Sequence, residues 1–336
     1  MSVPGSFRRL ILAAMLAGVL AVSGCGSSPP EVRPDPVPAV PPPAVTETQT
    51  GRILDQLGGQ LEASEASGSW EQATRMSGVA SEMFAAQAAM RGADPDGAPA
   101  DQLATQFAGI IVPATTEWPR TFAAVTSPTD LGAQYVYALT QPDPRSPYAM
   151  TSWVRLLAGV TIPETAPAGT GSPVLDVQAE GDLLLAPEAA LAIYAEAKDN
   201  PASPAAATFT GSDPARDAWA GLVERWGGAL APIEGQVGPS SSVDTSGTYA
   251  LGAADGGAIV FGIVRSTLAL TIPSAQGRSF TLADYFAALG AASTTVTKAA
   301  TIEFVQPVAL AIPAKASGAS IEVLGVSQLP VHATTE

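Results

Sequence analysis

Few residues in this chain are able to carry out covalent or acid–base chemistry. There is one cysteine, Cys25, and one histidine, His332, in 336 residues. A serine or cysteine nucleophile needs a base beside it. His332 is the sole imidazole, and its place close to the C-terminus fits a solvated residue at a strand end. No Gly-x-Ser-x-Gly elbow, Ser-x-x-Lys pair, Gly-x-x-x-x-Gly-Lys phosphate loop or His-Glu-x-x-His zinc motif occurs. No cofactor is expected, and one thiol with one imidazole does not suit a transition metal. Paired carboxylates need no histidine, so glycoside hydrolysis is the weakest of the alternatives kept open. Its candidates are Glu303 and Glu322, on expected strands, and Asp255. Each has a plainer reading: the two glutamates alternate with apolar neighbours as solvent-facing strand residues, and Asp255-Gly256-Gly257 is a hairpin turn.

Chemistry of recognition is better represented. Trp118, Phe122, Tyr135, Tyr137, Tyr148 and Trp153 cluster in one region, with Arg120, Arg145 and Arg155 among them. The candidate ligand-facing set is Arg120, Tyr135, Tyr137, Tyr148, Trp153 and Arg155. In a curved sheet such aromatics would line a cavity, with the arginines meeting an anionic group. The plainer reading makes the aromatics core and pairs the arginines internally.

Acids outnumber bases, 31 to 16, for a net charge of −15. Such a field repels nucleic acid and anionic lipid headgroups, so neither is expected as a partner of the folded part. Hydrophobic residues make up 46% and mean hydropathy is +0.22, enough to build a sizeable core. A single cysteine excludes an internal disulfide.

The elements follow in order. Arg8-Arg9, the apolar run from Leu10 to Ala21 and Val22-Ser23-Gly24-Cys25 have the three regions of a signal peptide, residues 1–24. The apolar run is too short for a spanning helix of ~20 residues. Residues 25–47 read as an extended tether, with prolines at 29, 30, 34, 36, 38 and 41–43; a stretch of 22 residues at ~3.1 Å each reaches roughly 70 Å at most. Residues 48–180 and 181–333 read as two α+β halves, each with helices first and an antiparallel sheet after.

In the first half, two helices span 48–91. The second is expected to start at a Ser69–Gln72 capping box and to bury Met76, Val79, Met83, Ala86 and Met90. Asp94 and Asp96 suit a turn. Alternation then puts Tyr135, Tyr137 and Leu139 on one strand face and Val136, Ala138 and Thr140 on the other. A proline-stiffened connection at 141–147 leads to a long return strand, 148–162, and a short strand follows near Val174–Val177.

In the second half, Pro187–Lys198 is helical. Asp213 and Pro214 start another helix, with Trp219, Leu222, Val223 and Trp226 inward and a stop at Gly227-Gly228. Strands are expected at 249–253, 258–273, 294–312 and 320–331, with a short helix at 281–289. Residues 155–163 and 265–273 align without gaps, which raises an internal duplication.

Val22-Ser23-Gly24-Cys25 resembles the lipobox of bacterial lipoproteins. That resemblance implies cleavage before Cys25, a thioether diacylglycerol on its sulfur and a further acyl chain such as palmitate on its amino terminus. Helices followed by a sheet, twice over, resemble tandem cone-shaped domains of the nuclear-transport-factor-2-like architecture. The ectodomain resembles a family of uncharacterised actinobacterial cell-envelope lipoproteins, through Trp118-Pro119-Arg120, Pro147-Tyr148, residues 155–163, Tyr194-Ala195 and residues 254–258. The resemblance implies a protein held at the cell membrane by lipid on Cys25, with its α+β ectodomain on the extracytoplasmic side, and it transfers no catalytic residue. The expected function is therefore non-enzymatic binding or scaffolding with an envelope protein or polymer. The alternative is a carrier or sensor of a small ligand held in the curved sheet.

Overall fold

A Thr46–Gln49 capping box starts the first helix. The Gln49 side chain accepts from the Thr46 backbone N–H at 2.9 Å, and the Thr46 hydroxyl accepts from the Gln49 N–H at 3.3 Å. The structure is a computed structural model, and it describes residues 40–67, 75–210, 213–273 and 277–336. The signal peptide, Cys25, most of the tether and the Ser69–Gln72 cap lie outside the described residues.

Helix α1 (Glu47–Ser67) and helix α2 (Gly78–Ala93) come first. The strands β1 (Phe107–Ile111), β2 (Pro113–Ala114), β3 (Arg120–Thr126), β4 (Tyr135–Gln141), β5 (Ala149–Arg155) and β6 (Ser172–Pro173) follow. Then come α3 (Pro187–Asp199), β7 (Phe209–Thr210) and α4 (Pro214–Leu230). The chain continues with β8 (Gln236–Gly252), β9 (Ala258–Thr271), β10 (Phe280–Thr281), β11 (Thr295–Val296), β12 (Ala299–Ile312), β13 (Ile321–Val326) and β14 (Leu329–Thr335).

The class is α+β. Sheet one has the order β1-β3-β4-β5 and is antiparallel throughout. Sheet two runs β7-β13-β12-β9-β8, with β14 also on β12. Its central pair, β9 and β12, stays in register along the whole of both strands.

The expected stripe forms in part: Met83, Ala86 and Met90 are buried and Val79 is half-buried, whereas Met76 bridges Met150 ahead of α2, which starts at Gly78 after Ser77. With Leu54, Leu57 and Leu61 of α1 they cover the face of sheet one that carries Phe122, Tyr135, Tyr137, Leu139 and Trp153. The same core continues to Trp219 of α4 and Phe304 of β12, so apolar packing crosses residue 180. Ala39 to Glu336 make one compact unit. On the far side, α3 lays Ala190, Leu191 and Tyr194 on the outer face of sheet two. Gly262 leaves room for this helix, since a Cβ there would lie 2.2 Å from Leu191 Cδ1.

The inner faces of the two sheets meet through Ile111, Ala123, Val136 and Val154 on one side and Leu251, Ile259, Phe261, Ala309 and Leu324 on the other. At one corner the backbones touch. Leu156 bridges Gly325, and the Leu157 N–H donates to the Leu324 carbonyl at 3.0 Å. A Cβ on Gly325 would lie 2.5 Å from the Arg155 carbonyl oxygen, so only glycine permits this approach.

Several local expectations are corrected. The return strand ends at Arg155, because Leu156 turns onto sheet two and Gly159 takes φ +81°. Residues 156–163 therefore leave their sheet, whereas 265–271 lie inside β9, and the short sequence match carries no structural equivalence. Helix α4 runs through Gly227-Gly228 to the fully buried Leu230. The strand expected at 249 begins at Gln236, the element at 284–289 is a 3-10 turn, and 321–335 holds two strands. Near Val174 only β6 and a single bridge from Val174 to Leu251 form. Pro42 to Val45, assigned to the tether by composition, lie against Pro113 and Thr115, and Val45 is buried.

Candidate functional site

Three neighbouring strands of sheet one each place a threonine on the inner face. Thr121 of β3 and Thr140 of β4 bring their hydroxyls to 2.9 Å, and Thr140 and Thr151 of β5 to 3.2 Å. The register explains the row: Thr121 pairs with Thr140, and Thr140 follows Val136 and Ala138 on their face. Where the inner faces carry Ala123, Val136 and Val154, the sheets close on one another. Where they carry these hydroxyls, the sheets part and leave a cavity of about 570 Å³.

The opposite wall comes from an irregularity in β8. Asp244 pairs with Ile263, but Tyr249 pairs with Phe261, so residues 245–248 loop out opposite a single residue. Gly247 permits this, since a Cβ there would lie 2.7 Å from Ile263 Cγ1. The loop brings Ser246, Thr248 and Tyr249 into the wall. The Tyr249 ring stacks on Phe261, with centroids 4.7 Å apart. The Thr248 and Tyr249 hydroxyl oxygens are buried and make no hydrogen bond among the described residues. Burial pushes the Tyr249 hydroxyl well above its ordinary pKa.

An ion-pair cluster stands at the end of the cavity. Arg265 of β9 holds Glu82 of α2 through two parallel hydrogen bonds, 3.0 and 2.9 Å, and Asp244 through Nε at 3.1 Å. Bidentate pairing fixes the guanidinium in direction. The Ser246 hydroxyl, 2.6 Å from Asp244 Oδ1, holds the Asp244 carboxyl below its usual range, and Arg265 adds to this. The three side chains are a quarter to two-fifths exposed, so the cluster orients groups more than it stabilises the fold. Glu117 adds another carboxylate to the lining, and Arg265 is the only base there among the described residues. The site is thus rich in hydroxyls and negative in sum.

The ligand-facing set expected from sequence lies elsewhere. Tyr135, Tyr137 and Trp153 are fully buried under α1 and α2. Tyr135 and Trp153 donate to Asp101, at 3.3 and 2.8 Å, and Tyr137 donates to the Ala104 carbonyl at 2.8 Å. Tyr148 packs edge-on against Phe122. Arg120 lies over the Trp118 ring, 4.1 Å from its centroid, and Arg155 is exposed at the end of β5. These aromatics are core because two helices cover their face. Glu303 and Glu322 do not form a carboxylate pair. They stand opposite His332 and Ala311, so eight positions of β12 separate them, roughly 26 Å at 3.3 Å per residue. Asp255 accepts from the Gly257 N–H in its turn, with Gly256 at φ +85°.

Lys198 and Ser266 form a buried nucleophile–base pair. Lys198 Nζ lies 2.9 Å from Ser266 Oγ, 3.2 Å from Asp199 and 3.6 Å from the centroid of the Trp219 ring. Burial pulls the lysine down to about 8, against the opposing pull of Asp199. Ser266 also meets Ser241 and Gln306, at 2.8 and 2.6 Å. Lys198 and Ser266 are each 2% exposed, and neither lines a cavity described here, so the pair is closed to substrate. Among the described residues no three His, Cys, Asp or Glu side chains gather as a metal site, and no helix is long and apolar enough to cross a membrane. Comparison with known families, curated proteins and solved structures finds no match to the chain.

Proposed function

We propose that the protein is a lipid-anchored extracytoplasmic binding protein whose cleft between the sheets takes a neutral, hydroxyl-rich ligand such as an oligosaccharide. The observation that carries this reading is the cleft wall. It carries the Thr121–Thr140–Thr151 hydroxyl row, with Ser246 on the opposite wall. Hydroxyls both donate and accept, which suits a ligand that does the same. Glu82, Glu117 and Asp244 outweigh Arg265 and disfavour an anion. A volume near 570 Å³ lies in the range of about 300–1,000 Å³ that small ligands occupy. Binding fits better than catalysis, since the one cleft hydroxyl seen beside a carboxylate among the described residues, Ser246, meets an Asp244 already held by Arg265. The anchor rests on Cys25 and the signal-like segment before it.

Native mass spectrometry of the full-length chain, released from nanodiscs, tests the reading. The probes are cellobiose, maltose and N,N′-diacetylchitobiose. At least one is expected to bind, and Thr140→Val is expected to weaken it about tenfold with folding intact. No adduct with any probe, or equal binding by the variant, would count against the cleft. Cys25→Ser is expected to lower the mass by the acyl groups and to release the chain from membranes; unchanged mass and partitioning would sink the anchor.

A further inference from the structure

We propose a second binding site, on the outer side of sheet two, for a free long-chain carboxylate. A cavity of about 620 Å³ lies between α4, the 284–289 turn and β12. Its apolar wall is Leu222, Trp226, Tyr285, Phe286, Ile302 and Phe304. The whole chain has 5 Trp, 6 Tyr and 9 Phe, and four of these aromatics gather here. Their rings are held by neighbours: Trp226 stands edge-on to Phe280 at 5.8 Å, Phe304 to Trp219 at 5.4 Å, and Tyr285 tilts on Phe286 at 4.6 Å. The wall is therefore formed before any ligand arrives, which lowers the ordering cost of binding.

The charges set the chemistry and direction of the ligand. Among the described residues Arg225 is the one charged residue lining this cavity, and it is exposed. It makes no ion pair among the described residues, whereas Arg216, Arg265 and Arg278 each hold a carboxylate. In a chain with nearly twice as many acids as bases, this arginine lines an apolar groove with no carboxylate at ion-pair distance among the described residues. Burial raises the Tyr285 hydroxyl above its ordinary pKa, and the Asp94 carboxylate adds to this, so negative charge is disfavoured beside Tyr285. An anionic head belongs at the Arg225 end, and an aliphatic chain runs away from it along the rings. The Gln328 amide also lines the cavity. The negative cleft between the sheets would repel the same ligand, so the two sites take opposite chemistries.

The test is photolabelling of the full-length chain in phosphatidylcholine nanodiscs with a diazirine-bearing palmitate, followed by peptide mapping. Label is expected within 222–229 and 281–286 and is expected to fall away with excess palmitate. Arg225→Gln should reduce it about tenfold, Arg225→Lys should restore most of it, and Arg145→Gln should leave it unchanged. Three results would overturn the proposal. The first is labelling that palmitate does not compete away. The second is equal labelling in Arg225→Gln or by a diazirine-bearing hexadecanol. The third is labelling of the same peptides by a diazirine-bearing phosphatidylcholine, which would make the bilayer the occupant.

Discussion

Lys198 is a buried cation satisfied by two oxygens and a ring. Its folded pKa of about 8 lies below the unfolded value, near 10.5. Between those values the unfolded chain binds more protons, so stability rises with pH across that window. Above about pH 10 the buried tyrosines act the other way: their folded pKa values are raised, so the unfolded chain ionises first. Chemical denaturation is expected to show stability increasing from pH 8 to 10, and Lys198→Met is expected to flatten that slope. A slope unchanged in the variant would remove Lys198 as its source. At this scale the sequence was partly legible. Alternation put Tyr135 and Tyr137 opposite Thr140 correctly. It did not say which face would be covered, because that depends on α1 and α2 packing from far along the chain. Glu82 and Asp244, 162 positions apart, gave no local signal, and the Lys198–Ser266 pair is equally non-local.

Among elements, legibility followed the strength of local chemistry. Asp213 caps α4 by accepting from the Ala215 and Arg216 N–H groups, as Asp-Pro at a helix start predicts. Thr46 caps α1 in the same manner, and Thr46→Ala is expected to cost about 1 kcal/mol in urea titration. Strand β8 was missed over residues 236–248, because serine, glycine and proline hide a strand that exists through pairing with β9. Tertiary context decides strands more than intrinsic preference does. Helix α4 passes two glycines for a related reason, as Leu230 anchors its last turn in the core. Packing of α3 on sheet two rests on Gly262. Gly262→Ala is expected to lose about 1–3 kcal/mol, measured by thermal and urea unfolding, as Leu191 is displaced. A loss below about 0.5 kcal/mol would show that Leu191 moves aside freely.

For the whole molecule, the pattern of small and polar residues on two facing sheets sets both closure and opening. Gly325 lets the backbones meet at one corner, Ala123 and Ala309 are buried where the inner faces close, and the threonines line the cavity where the sheets part. The α+β class and helices-then-sheet order were readable from periodicity. The back-to-back stacking of the sheets was not, since nothing local records which faces meet. The cleft is the central proposal, and the selectivity proposed for it rests on the excess of Glu82, Glu117 and Asp244 over Arg265. The most direct measurement is isothermal titration of the full-length chain in nanodiscs with a neutral oligosaccharide that native mass spectrometry finds bound, against its uronate counterpart. The neutral ligand is expected to bind at least about tenfold more tightly, and Thr140→Val is expected to weaken it without lowering stability by more than about 1 kcal/mol. Equal or tighter binding of the uronate, or a neutral ligand indifferent to Thr140, would contradict the assignment of the cleft.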